Sequence, residues 1–259
     1  MAALFSKQAR EYALARAIYP KSLFSYLASL TPSHAVAWDV GTGSGQAAVQ
    51  LADHYEKVVA TDASKQQIQQ AAQRPNITYA VTNPHLTEEE VRTLVGDAET
   101  VDLVVCAQAL HWFDLDNFYG HVKRVLRRPG GIIAAWTYQT PSVSPAVDAV
   151  LHDFNEKVFQ DWAPQVRYIE EEYKSISFPF QPVVGSKLTT TGPFQFEATK
   201  QATLNEYLTH LRSWSAVQKA IDSGREVLNE QQQKLFADAW GDTPHRIVKW
   251  TLYTLIGTL

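Results

Sequence analysis

The sequence predicts an α/β fold, a mostly parallel sheet with helices on both faces and an antiparallel edge strand. Apolar runs of strand length alternate with helix-length segments from residue 35 to residue 138, and such alternation implies right-handed crossovers between parallel strands. The first run ends in Gly41-Thr42-Gly43-Ser44-Gly45, a turn that opens a helix. Two more strand-like runs follow residue 193 with helices between them, the pattern of an antiparallel edge added to a parallel sheet.

Apolar residues at helical spacing over 4–18, and a second helix over 21–30 that stops before Pro32, form an N-terminal leader able to cover the glycine turn as a lid. The core over 35–139 then runs strand 35–40, helix 46–52, strand 58–61, helix 65–72 and strand 77–81. Thr87-Glu88-Glu89-Glu90 marks a helix start. Strand 101–107, helix 115–126 and strand 131–138 follow. The aromatic and proline-rich stretch 140–193 interrupts the alternation and reads as a cap insertion whose path the sequence does not give. Strand 194–203, helices 204–213 and 230–239, and a strand within 246–259 bring the sheet to seven strands. The whole of 1–259 reads as one domain, without a repeat of solenoid length.

At 259 residues the chain is long enough to bury its own core without a staple. Its 45% hydrophobic and 19% charged residues are ordinary for a soluble globular protein. A formal net charge of -4 and the lack of a basic stripe argue against nucleic acid as partner. Lys123, Arg124, Arg127 and Arg128 form the densest basic group, at the end of an expected helix whose dipole they complement. Cys106 is the single cysteine, which excludes a disulfide framework or thiolate cage and fits a reducing compartment. Inside an apolar run it is expected to pack as a small hydrophobe. With no signal-like apolar block and no stretch of membrane-spanning length, the expectation is a cytoplasmic protein.

Three glycines at alternate positions let the backbone turn tightly and approach a ligand where a Cβ would obstruct it. A dinucleotide fingerprint would put the third glycine one residue later, where Gln46 stands, so the pattern disfavours a nicotinamide cofactor. The second strand ends in Asp62, which at the carboxyl edge of a parallel neighbour either accepts the two hydroxyls of a ribose or caps the next helix. Ser64 is equally placed to fill the capping role.

Asp39-Val-Gly-Thr-Gly-Ser-Gly45, Asp62, Val101-Asp-Leu-Val-Val-Cys-Ala-Gln-Ala-Leu-His-Trp112 and Arg124-Val-Leu-Arg-Arg-Pro-Gly-Gly131 together resemble the class I S-adenosylmethionine-dependent methyltransferases. Within them the chain is similar to the small-molecule branch that includes trans-aconitate methyltransferase-like proteins, through Tyr12, Arg16, Tyr19 and Pro20, the Ala-Gln-Ala-x-His-Trp segment, and Trp214-Ser215-Ala216. The resemblance covers nearly the whole chain and implies a seven-stranded Rossmann-like sheet that binds S-adenosyl-L-methionine. Gly41, Gly43 and Gly45 would hold the methionine moiety, with Asp39 and Thr42 in the same motif. Asp62 and Ala63 would take the ribose, and Ala107 and Gln108 would face the amino acid end. Ala17 stands where relatives often carry proline, and Thr82-Asn83-Pro84 opens a longer excursion than is usual, leaving Asn83 as the adenine candidate.

Methyl transfer from a sulfonium is an in-line displacement, so the enzyme's task is to align nucleophile and methyl and to exclude water. No metal is expected, because Trp136-Thr137-Tyr138 supplies none of the carboxylates a metal site would need there. A hydroxyl or amine acceptor benefits from a base, whereas a carboxylate needs none. His111, after the fourth strand, is the candidate base; the alternatives are a hydrogen bond to substrate or a part in securing the turn beside Trp112. Trp112, Trp136, Tyr138, Trp162, Tyr168 and Trp214 either line an apolar substrate pocket or fill the interface between cap and sheet. Tyr12, Arg16 and Tyr19 belong to the leader side of that pocket, where Arg16 pairs with a substrate carboxylate or with Glu11. The expected activity is methyl transfer to an oxygen or nitrogen of a small organic molecule; the competing expectation is a non-methylating reaction, such as a cyclisation, on the same cofactor fold.

Overall fold

The computed structural model describes residues 19–259, so the expected helix over 4–18, with Tyr12 and Arg16, lies outside the described residues. Seven strands form one sheet in the order β3-β2-β1-β4-β5-β7-β6. They are β1 (Val36–Val40), β2 (Lys57–Asp62), β3 (Ile77–Val81), β4 (Leu103–Ala107), β5 (Ile132–Tyr138), β6 (Phe194–Ala202) and β7 (Arg246–Thr258). The first five pair in parallel, and β7 runs antiparallel to both β5 and β6. The antiparallel edge is thus the β7–β6 pair.

Strand alternation sorts the apolar side chains into two layers. Ala37, Val58, Ala60, Leu103, Val105, Ile132 and Ala134 face one way. They pack under α1 (Lys21–Leu30), α2 (Gln46–Leu51) and the helices of the second half. Trp38, Val40, Val59, Val104, Cys106 and Ile133 face the other way, against α4 (Glu88–Leu94) and α5 (Leu115–Val125). Cys106 is therefore a packing residue, fully buried, with its thiol pushed well up by desolvation.

Helix starts follow the expected side chains. Ser64 accepts from Gln67 N at the head of α3 (Lys65–Gln69), and Thr87 forms a reciprocal capping box with Glu90 at α4. In the cap, Ser144 and Pro145 open α6 (Pro145–Val158), which buries Val147, Leu151, Phe154 and Val158. That spacing is a legible helical stripe. It was overlooked among the surrounding prolines, as was α9 (Ser215–Asp222). The remaining helices are α7 (Arg167–Glu170), α8 (Leu204–Arg212) and α10 (Glu230–Trp240). Among the described residues no helix is long and apolar enough to cross a membrane.

β1 sits between β2 and β4, so the chain leaves it in one direction to build β2 and β3 and returns on its other side for β4 and β5. Such a reversal opens a crevice beyond the carboxyl ends of the two central strands. At the opposite edge, fully buried Asp102 accepts from Ala35 N (2.8 Å), Val36 N (2.9 Å) and Arg127 Nε. One carboxylate thereby fastens the entries of β1 and β4 to the end of α5. Of the other basic residues expected to offset that helix's dipole, Arg124 meets Glu88 and Arg128 meets Glu99, while Lys123 lies over the Phe180 ring.

Removing Asp102 leaves two backbone N–H groups and a partly covered guanidinium without their acceptor. Asp102→Ala is expected to cost about 3 kcal/mol in urea unfolding, in the range for breaking a buried pair; a cost below about 1 kcal/mol would show that the sheet edge does not depend on it.

Candidate active site

The glycine turn is drawn over the end of β2. Gly41 N and Thr42 N both donate to Thr61 O (2.8 and 3.0 Å), and Gly45 N donates to Thr42 O at 3.0 Å. Gly41 (φ +70°) and Gly43 (φ +58°) have left-handed backbones that only glycine adopts without strain. A Cβ on Gly41 would stand 2.6 Å from Ala109 Cβ. Gly45 shares the left-handed backbone (φ +83°), and the Tyr79 hydroxyl and ring fill the place its Cβ would take.

Asp62 completes this corner. Its Oδ2 accepts from Gly43 N at 2.8 Å and its Oδ1 from Ser64 N at 2.7 Å. Both oxygens are thus oriented by backbone, an Asx-type turn on one side and the glycine turn on the other. Ser64 caps α3, so Asp62 is not spent as a helix cap.

Beyond this corner lies a cavity of about 490 Å³, within the size range of small-molecule sites. Its wall includes Gly41, Thr42, Gly43, Asp62, Ala63, Asn83, Ala107 and Gln108, and also Tyr19, His111, Trp112, Tyr138 and Trp214. These are the sequence-derived candidates that the fold brings together. Gln108 closes β4 with a left-handed backbone (φ +55°), its N donating to Trp136 O at 2.8 Å. Its Oε1 accepts from Tyr138 N and from Thr137 Oγ1, each at 2.9 Å.

Three candidates do not line the cavity. Asp39 is fully buried on the opposite face of β1 from its neighbours Trp38 and Val40, which do line it. There it accepts from Thr42 Oγ1 at 2.5 Å and braces the turn from beneath. Gly45 serves packing, as above. Trp136 lies one pleat inside Tyr138 on β5, fully buried, with edge-on contacts to Tyr19 at 5.3 Å and Phe24 at 5.9 Å. It supports the pocket wall from behind and offers no surface to a ligand.

The cap contributes Trp162, one of the aromatic pocket candidates, and Tyr173, which the sequence does not single out. Tyr173, buried and in a left-handed backbone conformation, places its hydroxyl 2.8 Å from His111 Nδ1. Trp162 lines the cavity, its Nε1 held by Asn155 Oδ1 at 3.1 Å and its ring 5.5 Å from Trp214. His210, expected to be structural or solvated, lines the cavity as well and accepts from Trp214 Nε1 at 3.3 Å. The Asp161–Arg225 ion pair, with both carboxylate oxygens at 2.5 Å, fixes the Trp162 turn against the end of α9. Tyr168 packs instead under the Arg167 guanidinium, 4.8 Å from its ring.

Comparison with known proteins agrees with this geometry. A family model described as a methyltransferase domain matches residues 38–135. A Dictyostelium discoideum protein named as a methyltransferase is 31% identical over 97% of this chain and 93% of its own length. The chain belongs to the class I S-adenosylmethionine-dependent methyltransferases. The solved structure of a type II methyltransferase from Anaeromyxobacter dehalogenans superposes on this methyltransferase with a TM-score of 0.78, at 33% identity, covering 94% of this chain and 97% of that one. Methyltransferase cfoB of Aspergillus candidus is 28% identical over 57% of this chain, which spans half of that protein's length.

The residues present fit S-adenosyl-L-methionine, the cofactor of the family. One side-chain-free position, Gly43, leaves room for close backbone approach, and a carboxylate fixed by two N–H groups stands at the strand end where such folds read a ribose. When bound, the cofactor supplies an electrophilic methyl group on a sulfonium.

Burial, set against the Thr42 hydroxyl and the Ala48 backbone, pushes the Asp39 carboxyl from its ordinary 3.8 up to about 7. A carboxyl that holds its proton more tightly when folded loses stability as pH rises from the unfolded value to the folded one. Unliganded methyltransferase is therefore expected to lose about 4 kcal/mol from this group between pH 4 and pH 7. Asp39→Asn keeps an oxygen for Thr42 and removes that loss, so the variant gains on the parent as pH rises; parallel pH–stability curves for the two proteins would contradict the assignment.

Proposed function

We propose that this methyltransferase moves the methyl group to an oxygen or nitrogen of a small organic molecule, with His111 as the proton acceptor. The carrying observation is that Asp62, the glycine turn, His111 and the Trp162–Trp214 pair all line one cavity. In this reading Gly41, Thr42 and Gly43 receive the methionine moiety and Asp62 with Ala63 the ribose. Asn83 borders the adenine, while the backbone at Ala107 and Gln108 faces the amino acid end. Tyr19, Trp112, Tyr138 and Trp214 contain the acceptor, joined by Trp162.

The volume suits a ligand the size of the cofactor beside a compact second molecule, and the tryptophans favour an acceptor with a flat apolar body. With Tyr19, Trp112, Tyr138, Trp162 and Trp214 on the cavity wall, the acceptor is dehydrated as it is aligned, which strengthens every polar contact made to it. The small-molecule class and the role of His111 rest on this arrangement.

The test is transfer of labelled methyl from S-adenosylmethionine to a panel of phenols, amines and di- and tricarboxylic acids. The expected outcome is label in a small acceptor, with kcat reduced about 10²–10⁴-fold by His111→Ala, the usual worth of a positioned base. Unchanged kcat in that variant would remove the base. Cofactor consumption without labelled product would favour a non-methylating reaction, and label found only in a macromolecule would overturn the substrate class.

A further inference from the structure

Trp162 and Trp214 both line the cavity, and each has already spent its indole N–H. Trp162 Nε1 donates to Asn155 Oδ1 at 3.1 Å, and Trp214 Nε1 donates to His210 Nε2 at 3.3 Å. Their ring centroids are 5.5 Å apart, too close to admit a third ring between them. The pair is therefore one apolar wall that brings no indole donor to a ligand. An indole N–H can only donate, which identifies the Asn155 atom facing Trp162 as the amide oxygen. The other end of that amide is Nδ2 with its two protons, and among the described residues nothing accepts from it. Asn155 is half-buried and lines the same cavity.

The amide is held in place from several sides. Asn155 lies in α6, one residue after the fully buried Phe154, whose ring stands 6.4 Å from Trp214 and 5.9 Å from Phe236. Trp162, which orients the amide, sits on the turn pinned by Asp161 and Arg225. A donor carried on a packed helix and aimed by a second side chain loses little freedom when a ligand arrives. We infer that Asn155 Nδ2 is a specificity contact for the methyl acceptor: it donates to an uncharged carbonyl-type oxygen on a flat aromatic body that lies against the Trp162–Trp214 wall.

This rests on the proposal that the cavity takes a small acceptor beside the cofactor, and it narrows that acceptor. Among the described residues the cavity wall carries the carboxylates of Asp62, Asp114 and Glu170 and no lysine or arginine. Such a wall suits a cationic sulfonium and disfavours an anion, whose dehydration a neutral amide does not offset. An uncharged oxygen is less costly to dehydrate, and one N–H from Asn155 restores the hydrogen bond it gave up. Arg16, the sequence candidate for a substrate carboxylate, lies outside the described residues, so a carboxylate probe belongs in the test. If Asn155 served only to hold Trp162, its oxygen alone would be enough and an aspartate would do as well.

The test loads the protein with S-adenosylhomocysteine and titrates it with 4-hydroxyacetophenone, 4-ethylphenol and 4-hydroxybenzoate, following the indole N–H signals of Trp162 and Trp214 by NMR. The expected result is that the ketone binds about tenfold more tightly than the alkylphenol, the worth of one hydrogen bond to a group otherwise left unpaired, and that the benzoate binds most weakly. Asn155→Asp keeps an oxygen for Trp162 and removes the donor. In that variant the preference for the ketone vanishes or reverses, while the Trp162 indole signal stays hydrogen-bonded and the affinity for S-adenosylhomocysteine is unchanged. Equal binding of ketone and alkylphenol by the parent, no binding of either, or an unaltered preference in Asn155→Asp overturns the contact. Tightest binding of the benzoate overturns the uncharged class. A ketone preference that is lost in Asn155→Asp, combined with no transfer of labelled methyl to any phenol or amine, leaves the contact standing and removes the proposed reaction.

Discussion

The site depends on one carboxylate. Asp62 stands at the carboxyl end of β2, beside the switch between the two halves of the sheet, and its two oxygens are held by N–H groups from two different turns. Gly43 reaches it only because the turn runs through left-handed backbone, and the turn keeps that path because Thr61 O takes two of its N–H groups and Asp39 braces it from below. An ordered acceptor at the sheet rim, with its orientation fixed in advance by backbone, loses little further freedom when a ligand arrives.

A second fixed system stands across the cavity. Gln108 leaves β4 with a left-handed backbone and turns its side chain back onto β5, where it meets Thr137 and Tyr138. The two systems come from strands on either side of β1, one bordering the glycine turn and the other leading to His111. The cap adds Tyr173 behind the histidine and Trp162 in front of Trp214, tied down by the Asp161–Arg225 pair. The glycine corner thus comes from the sheet and its turns, while the cap adds Trp162 to the cavity wall.

The central corner was legible in the sequence because it is local: three alternate glycines after an apolar run, then an acid ending the next run. The sequence also offers Ser64 for the capping role two residues on, and the structure shows Ser64 in it, which leaves both Asp62 oxygens to the backbone donors. Asp39 and Trp136 do not line the cavity, for two different reasons. Strand alternation turns Asp39 beneath the turn, whereas Trp136 shares the face of Tyr138 but lies a pleat too deep, behind Tyr19. The helix α6 was readable from Ser144-Pro145 and the apolar stripe after it, whereas Tyr173 was not. Its partner His111 lies 62 residues away, and only the fold of the cap brings the two together.

The most direct measurement of this account is a crystal structure with S-adenosylhomocysteine bound. It is expected to show both ribose hydroxyls on the Asp62 carboxylate while the Gly43 and Ser64 N–H bonds persist, with the amino acid end over Gly41 and Gly43. A ribose seated away from Asp62, or a carboxylate turned off its two backbone donors to reach the ligand, would contradict it.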